Sequence, residues 1–313
     1  MSADLRALVD GLRRDVVGRV REIELLVAAV AADRHILVEG PPGTGKSTLL
    51  RAVADQLGVG FEFVEGNAEL TPARLVGHFD PARVLEDGYD PDVFVAGPLV
   101  RALEQGSLLY VEELNRVPEE TLNVLITVMS ERELHVPRFG RIAAADGFRL
   151  VAAMNPFDAV GTARISGAVY DRVCRVAVDY QSADDEGDIV VRRVAAGADL
   201  DPAWVGRVVE LVRATRQHPD IRIGSSVRGA IDMVSVASTL ASVRDARPVD
   251  PSVSLDAALV ALSGRIRVRE GCNRTADDIV RELWEATFGR TEGDGSGGGE
   301  GKAGAPTGAT TSR

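Results

Sequence analysis

The chain has little that a disulfide framework, a metal cluster or a membrane could use. Its 313 residues include two cysteines, Cys174 and Cys272, and four histidines. Two cysteines so placed make neither a disulfide framework nor a zinc pattern, and they read as buried thiols. The histidines are scattered without ligand spacing. No apolar run reaches the roughly 20 residues that span a bilayer, and the first residues carry no apolar signal segment. The cytoplasm is the expected location, with no membrane insertion. Positive charge is also short, with 36 Lys and Arg against 47 Asp and Glu and a net charge of −11. That argues against a protein whose main work is tracking a nucleic-acid backbone. No [NT]-K-x-D motif is present, which weighs against a guanine-nucleotide site. No aromatic-glycine loop suited to threading a polypeptide stands out.

What is there is an ordinary globular composition, 45% hydrophobic and 27% charged, long enough for one large or two modest domains. One stretch organises it. Residues 40–47 read Gly40-Pro41-Pro42-Gly43-Thr44-Gly45-Lys46-Ser47, the pattern G-x-x-x-x-G-K-[ST]. An apolar run, His35 to Glu39, precedes it, and Leu49, Leu50, Val53 and Leu57 follow at helical spacing. Strand, glycine loop and helix are the context in which such a loop turns its N–H groups toward a phosphate. Lys46 would bridge β- and γ-phosphates and Ser47 would hold Mg²⁺, with Thr48 next in line. Upstream, Val17 and Gly18 lie in a loop between two helical stretches, 2–15 and 20–31, where they would frame a base or simply join two helices.

Further along, Leu108 to Val111 form an apolar run that ends in Glu112 and Glu113. A buried strand delivers such acids at its C-terminal edge, where ligands of open α/β sheets sit. Glu112 suits metal holding and Glu113 the activation of a water; a solvated charge pair is the plainer alternative. Phe148 to Met154 is another apolar strand, ending at Asn155, which could orient the same water or lie in a surface turn. Strands are also expected at 61–64 and 173–178, and helices at 98–105 and 119–130. Two β-hairpin insertions are expected, one near 79–97 across Glu86-Asp87-Gly88 and one near 134–142. After Tyr180 the pattern turns to amphipathic helices at 184–195, 202–216, 226–243, 254–269 and 275–288. Residues 291–313 are rich in Gly, Ser, Thr and Ala, a composition that cannot offset its own ordering entropy.

Taken together, Val17-Gly18-Arg19, GPPGTGKS at 40–47, EELNR at 112–116, MNP at 154–156, YDR at 170–172 and Gly224-Ser225-Ser226-Val227-Arg228 resemble an AAA+ ATPase, and within that superfamily the MoxR family. The resemblance covers about residues 10–290. It implies a P-loop αβα sandwich with a parallel sheet (1–180), a smaller all-helical lid (181–290) and a tail (291–313). It also implies ATP and Mg²⁺ as cofactors, with Lys46 and Ser47 in Walker A, Glu112 and Glu113 in Walker B, and Asn155 as sensor 1. Arg172 stands where the family has an arginine finger that reaches a neighbouring subunit's nucleotide, and Arg228 where it has sensor 2. The insertions match the family's helix-2 and pre-sensor 1 inserts. A hexameric ring and a von Willebrand factor A domain partner follow from the same resemblance. A magnesium-chelatase-like subunit and a DNA-associated ATPase are the alternatives. Two residues depart from the family pattern: Glu112 replaces the usual Asp, and Tyr170 precedes Asp171-Arg172 where leucine is usual.

Overall fold

The computed structural model describes residues 2–156, 165–194 and 200–289. These fall into two compact units: residues up to Leu200 with Ser226–Ile231, and Asp201–Ser225 with Asp232 onward. The expected tail at 291–313 lies outside the described residues.

The first unit runs α1 (Ser2–Asp15), α2 (Val20–Ala31), β1 (His35–Glu39), α3 (Lys46–Leu57), β2 (Phe61–Glu65), α4 (Pro72–Val76), β3 (Gly77–Phe79), α5 (Pro81–Asp87), β4 (Phe94–Ala96), α6 (Pro98–Gln105), β5 (Leu108–Glu112), α7 (Glu119–Glu131), β6 (Glu133–Val136), β7 (Gly140–Ala143), β8 (Arg149–Met154), α8 (Gly167–Tyr170), β9 (Val173–Ala177) and α9 (Ala183–Val194). Five strands form one parallel sheet in the order β2-β5-β8-β1-β9. The run of apolar residues in β1, β5 and β8 follows from covering both faces of that sheet. Ile36, Val38, Leu108 and Tyr110 pack with Leu12, Ile23, Leu26 and Leu49 on one side. Leu37, Leu109 and Val111 pack with Leu99, Leu103, Leu122 and Leu125 on the other. The period of two in each strand thus serves two separate cores. This is the αβα sandwich that the resemblance implied.

Two expectations change in this unit. The insertion at 79–97 is not a continuous hairpin: β3 and β4 pair antiparallel for three residues each, and α5 lies between them. Asp80 accepts the Ala82 N–H at 2.9 Å with Pro81 in the first helical position, a start signal that outweighs the extended character of Val84-Leu85. The second insertion is a hairpin, β6 with β7. Within the first insert Phe79 packs edge-on against Tyr89 and Phe94, and Phe94 meets Phe139 of the second at 4.6 Å between ring centroids. Arg138 lies 3.7 Å over the Tyr89 ring. Cys174, expected to be buried, is exposed, because β9 is an edge strand of the sheet.

The second unit holds α10 (Pro202–Gln217), β10 (Ile221–Ile223), most of α11 (Val227–Arg244), α12 (Pro251–Leu262), β11 (Arg267–Val268) and α13 (Ala276–Phe288). It is helical, with one short antiparallel ladder, β10 with β11, added. The helix expected over 254–269 starts earlier, with Pro251 in its first turn, and stops at Leu262 before Ser263-Gly264. Thr275 and Asp278 form a capping box at the start of α13. Among the described residues no helix is long and apolar enough to cross a membrane.

At the N-terminal edge of the sheet, buried His35 accepts the Leu150 N–H on Nδ1 at 2.9 Å. Burial, with Arg132 nearby, lowers its pKa from 6.5 to about 4. The unfolded chain takes up this proton first, so stability present above pH 6.5 is lost as the pH falls toward 4, at up to roughly 1.4 kcal/mol per pH unit. Urea unfolding at pH 7, 6 and 5 is expected to give a shallower pH dependence for His35→Asn than for wild type. Equal slopes would remove His35 from the acid response.

Candidate functional site

The site grows from the end of β1. Gly40 leaves the sheet beside β9, and a Cβ on it would stand 2.2 Å from the Val178 carbonyl oxygen. Only glycine fits there. Gly43 has φ +74, and a Cβ on it would stand 2.2 Å from Ser226 Oγ, so Ser226 closes directly over the loop. The loop ends at Gly45, which caps α3 and turns that helix's first N–H groups toward the loop's hollow. An anion is favoured there by the helix dipole.

Lys46 Nζ donates to the Gly40 and Pro41 carbonyls, each at 2.8 Å, and Thr44 Oγ1 donates to Pro41 O at 2.9 Å. Burial lowers the Lys46 ammonium from 10.5 to about 8; Glu112 opposes this, and Arg228 and Arg19 add to it. Ser47 Oγ donates to Glu112 Oε1 at 2.6 Å and accepts from Tyr110 Oη at 3.1 Å. The longer side chain of Glu112 therefore does reach the serine that the phosphate loop presents. Burial pushes the Tyr110 phenol up, which keeps it a donor.

Glu113 takes a left-handed backbone, φ 52°, and its carboxylate pairs with Arg116 at 3.0 Å. A non-glycine residue in that region stores roughly 1 kcal/mol or more, and such strain gathers at functional sites. Asn155 follows Met154, which lies opposite Glu39 in the sheet register, so it stands at the same edge as the loop. Its carbonyl accepts from Asn115 Nδ2 at 3.4 Å. Arg228, in the first turn of α11, comes close to Gly43 and acts electrostatically on Lys46.

A cavity of about 550 Å³ opens beside Gly43, Thr44, Gly45 and Thr48, lined also by Val16, Val17, Gln181, Ile189, Arg192 and Arg228. Its size suits a nucleotide-sized ligand. Val17 O accepts from Gln181 Nε2 at 3.2 Å. Gly18 has φ +67, and a Cβ on it would meet the Asp185 carboxylate.

Arg172 stands apart from this group. It precedes Val173, which pairs with His35 at the opposite end of β1 from Gly40, about 16 Å along the strands. It donates to Ser130 Oγ at 2.5 Å and to Ala168 O at 2.8 Å.

A model of the AAA domain (dynein-related subfamily) matches residues 35–173. The chain is 30% identical over 215 residues to a protein of Staphylococcus epidermidis, covering 66% of this chain and 80% of the relative. The chain belongs to the AAA+ ATPases. The YeaC protein of Bacillus subtilis is 28% identical to this AAA+ ATPase over 309 residues, covering 89% of this chain and 92% of YeaC. Among solved structures, a Cytophaga hutchinsonii protein aligns with TM-score 0.52 and 20% identity over 90% of this chain and 94% of that one. The Thermotoga maritima RuvB Holliday junction branch migration motor aligns with TM-score 0.54 and 17% identity over 80% and 72%. At those identities the two structures share the fold of this AAA+ ATPase.

Three residues around the loop make contacts to which no motif points. Arg19 is buried, and donates to Thr44 O at 2.9 Å and to Asp179 O at 2.5 Å while pairing with Glu22. Tyr110 sits two residues before Glu112, hence on the same strand face, and that spacing was the available signal. Ser226 had no signal beyond its place before Val227-Arg228.

Lys46 and Lys302 are the lysines of this chain, so amine modification can be followed peptide by peptide. Acylation of Lys46 is expected to reach half its maximal rate near pH 8, by mass spectrometry across pH 6–11. A midpoint near the ordinary lysine value of about 10.4 would contradict the buried setting.

Proposed function

We propose that this AAA+ ATPase is of the MoxR type and works in the cytoplasm as a hexameric ring that hydrolyses ATP to remodel or activate a protein partner. The observation that carries ATP hydrolysis in this reading is the hydrogen bond between Ser47 and Glu112, which joins the phosphate loop to the acid at the end of β5; the MoxR type and the ring rest on the resemblance of the motifs. A serine hydroxyl beside a carboxylate is the hard oxygen set that Mg²⁺ prefers, and the residues fit the ion. Mg²⁺ would be held by Ser47 and Glu112, directly or through water, and when bound it offsets phosphate charge.

The chain's own residues then divide the work. Loop amides and the start of α3 cradle the phosphates. Lys46 gives up its carbonyl partners for phosphate oxygens. Glu113 turns from Arg116 to take a proton from the attacking water, and Asn155 orients that water. Arg228 meets the phosphates from α11. The cavity lined by Val17 takes the nucleoside. Arg172 is held by Ser130 and Ala168 rather than by its own loop, and the family resemblance offers it to the adjoining subunit's γ-phosphate. A partner with a von Willebrand factor A domain follows from the family resemblance. A DNA-associated reading has the shared RuvB fold behind it, and the net charge of −11 stands against it.

Lys46→Ala is expected to abolish ATP binding in a fluorescent-nucleotide titration; wild-type affinity would refute the loop assignment. Glu113→Gln is expected to bind ATP and hold it unhydrolysed; normal turnover would remove Glu113 from the base role. Arg172→Ala is expected to lower turnover by about 10³ with binding kept. Mixing Arg172→Ala with Lys46→Ala subunits should then recover part of the activity, and no recovery at any ratio would refute catalysis in trans.

A further inference from the structure

Tyr170, which replaces the family's usual leucine, has a definite partner. It closes α8, and its Oη donates to Glu39 Oε1 at 2.7 Å. Glu39 is the last residue of β1 and is 4% exposed; the phosphate loop begins at the next residue. Arg175 Nε on β9 holds the other carboxylate oxygen. Burial and the adjacent carboxylate push the Tyr170 phenol up to about 12, so it donates at any working pH.

On its other side Tyr170 is two residues from Arg172, which bonds back to Ala168 O within α8. The helix α8 is therefore a small block with the arginine at one corner and the tyrosine at another. Glu39 in turn is peptide-bonded to Gly40, whose carbonyl accepts from Lys46. Gly40 thus links the carboxylate that holds Tyr170 to the carbonyl that Lys46 would leave for a triphosphate. A leucine at 170 could fill the same space but could not follow the carboxylate.

We propose that Tyr170 is a positioning residue: its hydroxyl seats α8 on Glu39, so that the state of a subunit's own phosphate loop sets how its Arg172 is offered to the next subunit. This rests on the reading that Arg172 acts in trans. The competing account is that Tyr170 only satisfies a buried carboxylate and so supports its own loop. The two accounts place the defect of a Tyr170 variant in different subunits.

The test is Tyr170→Phe, which keeps the ring and removes the donor. Its kcat is expected to fall about tenfold, the usual scale for losing a hydrogen bond to a charged group, with nucleotide affinity kept within about twofold. Unchanged kcat, or a loss confined to affinity, overturns the proposal. Mixed with excess Glu113→Gln subunits, which retain both Tyr170 and Arg172, each Tyr170→Phe site receives an intact arginine. Its turnover should climb back toward wild type, and no climb overturns the proposal. Arg172→Ala mixed with Glu113→Gln is run alongside. If Arg172→Ala is rescued and Tyr170→Phe is not, the positioning role alone fails; if neither is rescued, it falls together with action in trans. Tyr170→Leu, carried through the same mixtures, is expected to behave as Tyr170→Phe does and supplies the measurement if the phenylalanine variant does not fold.

Discussion

The place of β1 in the sheet is the constraint on which the rest depends. It has a parallel neighbour on each side, β8 and β9, in register along nearly its whole length. Parallel pairing sends the ends of all these strands to one edge. Gly40, Asn155 and the turn after Ala177 therefore arrive together, and β5 on the far side of β8 brings Glu112 to the same line. The fit is tight. The Val178 carbonyl and Ser226 hydroxyl occupy the space that side chains at 40 and 43 would need. The glycines here are required by neighbours on other elements as much as by the loop's own turns.

Polar contacts over long sequence separations then fix what the sheet only brings near. Arg19 ties the loop before α2 to the phosphate loop and to the chain after β9. Tyr110, Ser47 and Glu112 form a line of hydrogen bonds between β5 and the start of α3. Each of these groups is at least partly buried, where an unmade bond costs more than at the surface. The result is a hollow whose charges are held before any ligand arrives, the condition under which electrostatic stabilisation acts without reorganisation.

Most of the sheet was legible in the sequence because its central strands are apolar on both faces, and the loop because glycine, lysine and serine fall at fixed offsets. Helix α5 was not read, because two apolar residues looked extended while the decisive signal was the cap Asp80-Pro81. The exposure of Cys174 depends on β9 lying at the edge, and strand order is a tertiary fact. Arg19 and Tyr170 stand within their motifs, but their partners lie across the fold, Glu39 being 131 residues from Tyr170. No periodicity carries that kind of information.

The aromatic seam between the two inserts has a mechanical consequence. The Phe94 ring against Phe139 and the Arg138 guanidinium over Tyr89 join the segment that follows α5 to the turn between β6 and β7. Two excursions of the chain, well separated in sequence, thus hold each other in place at one seam.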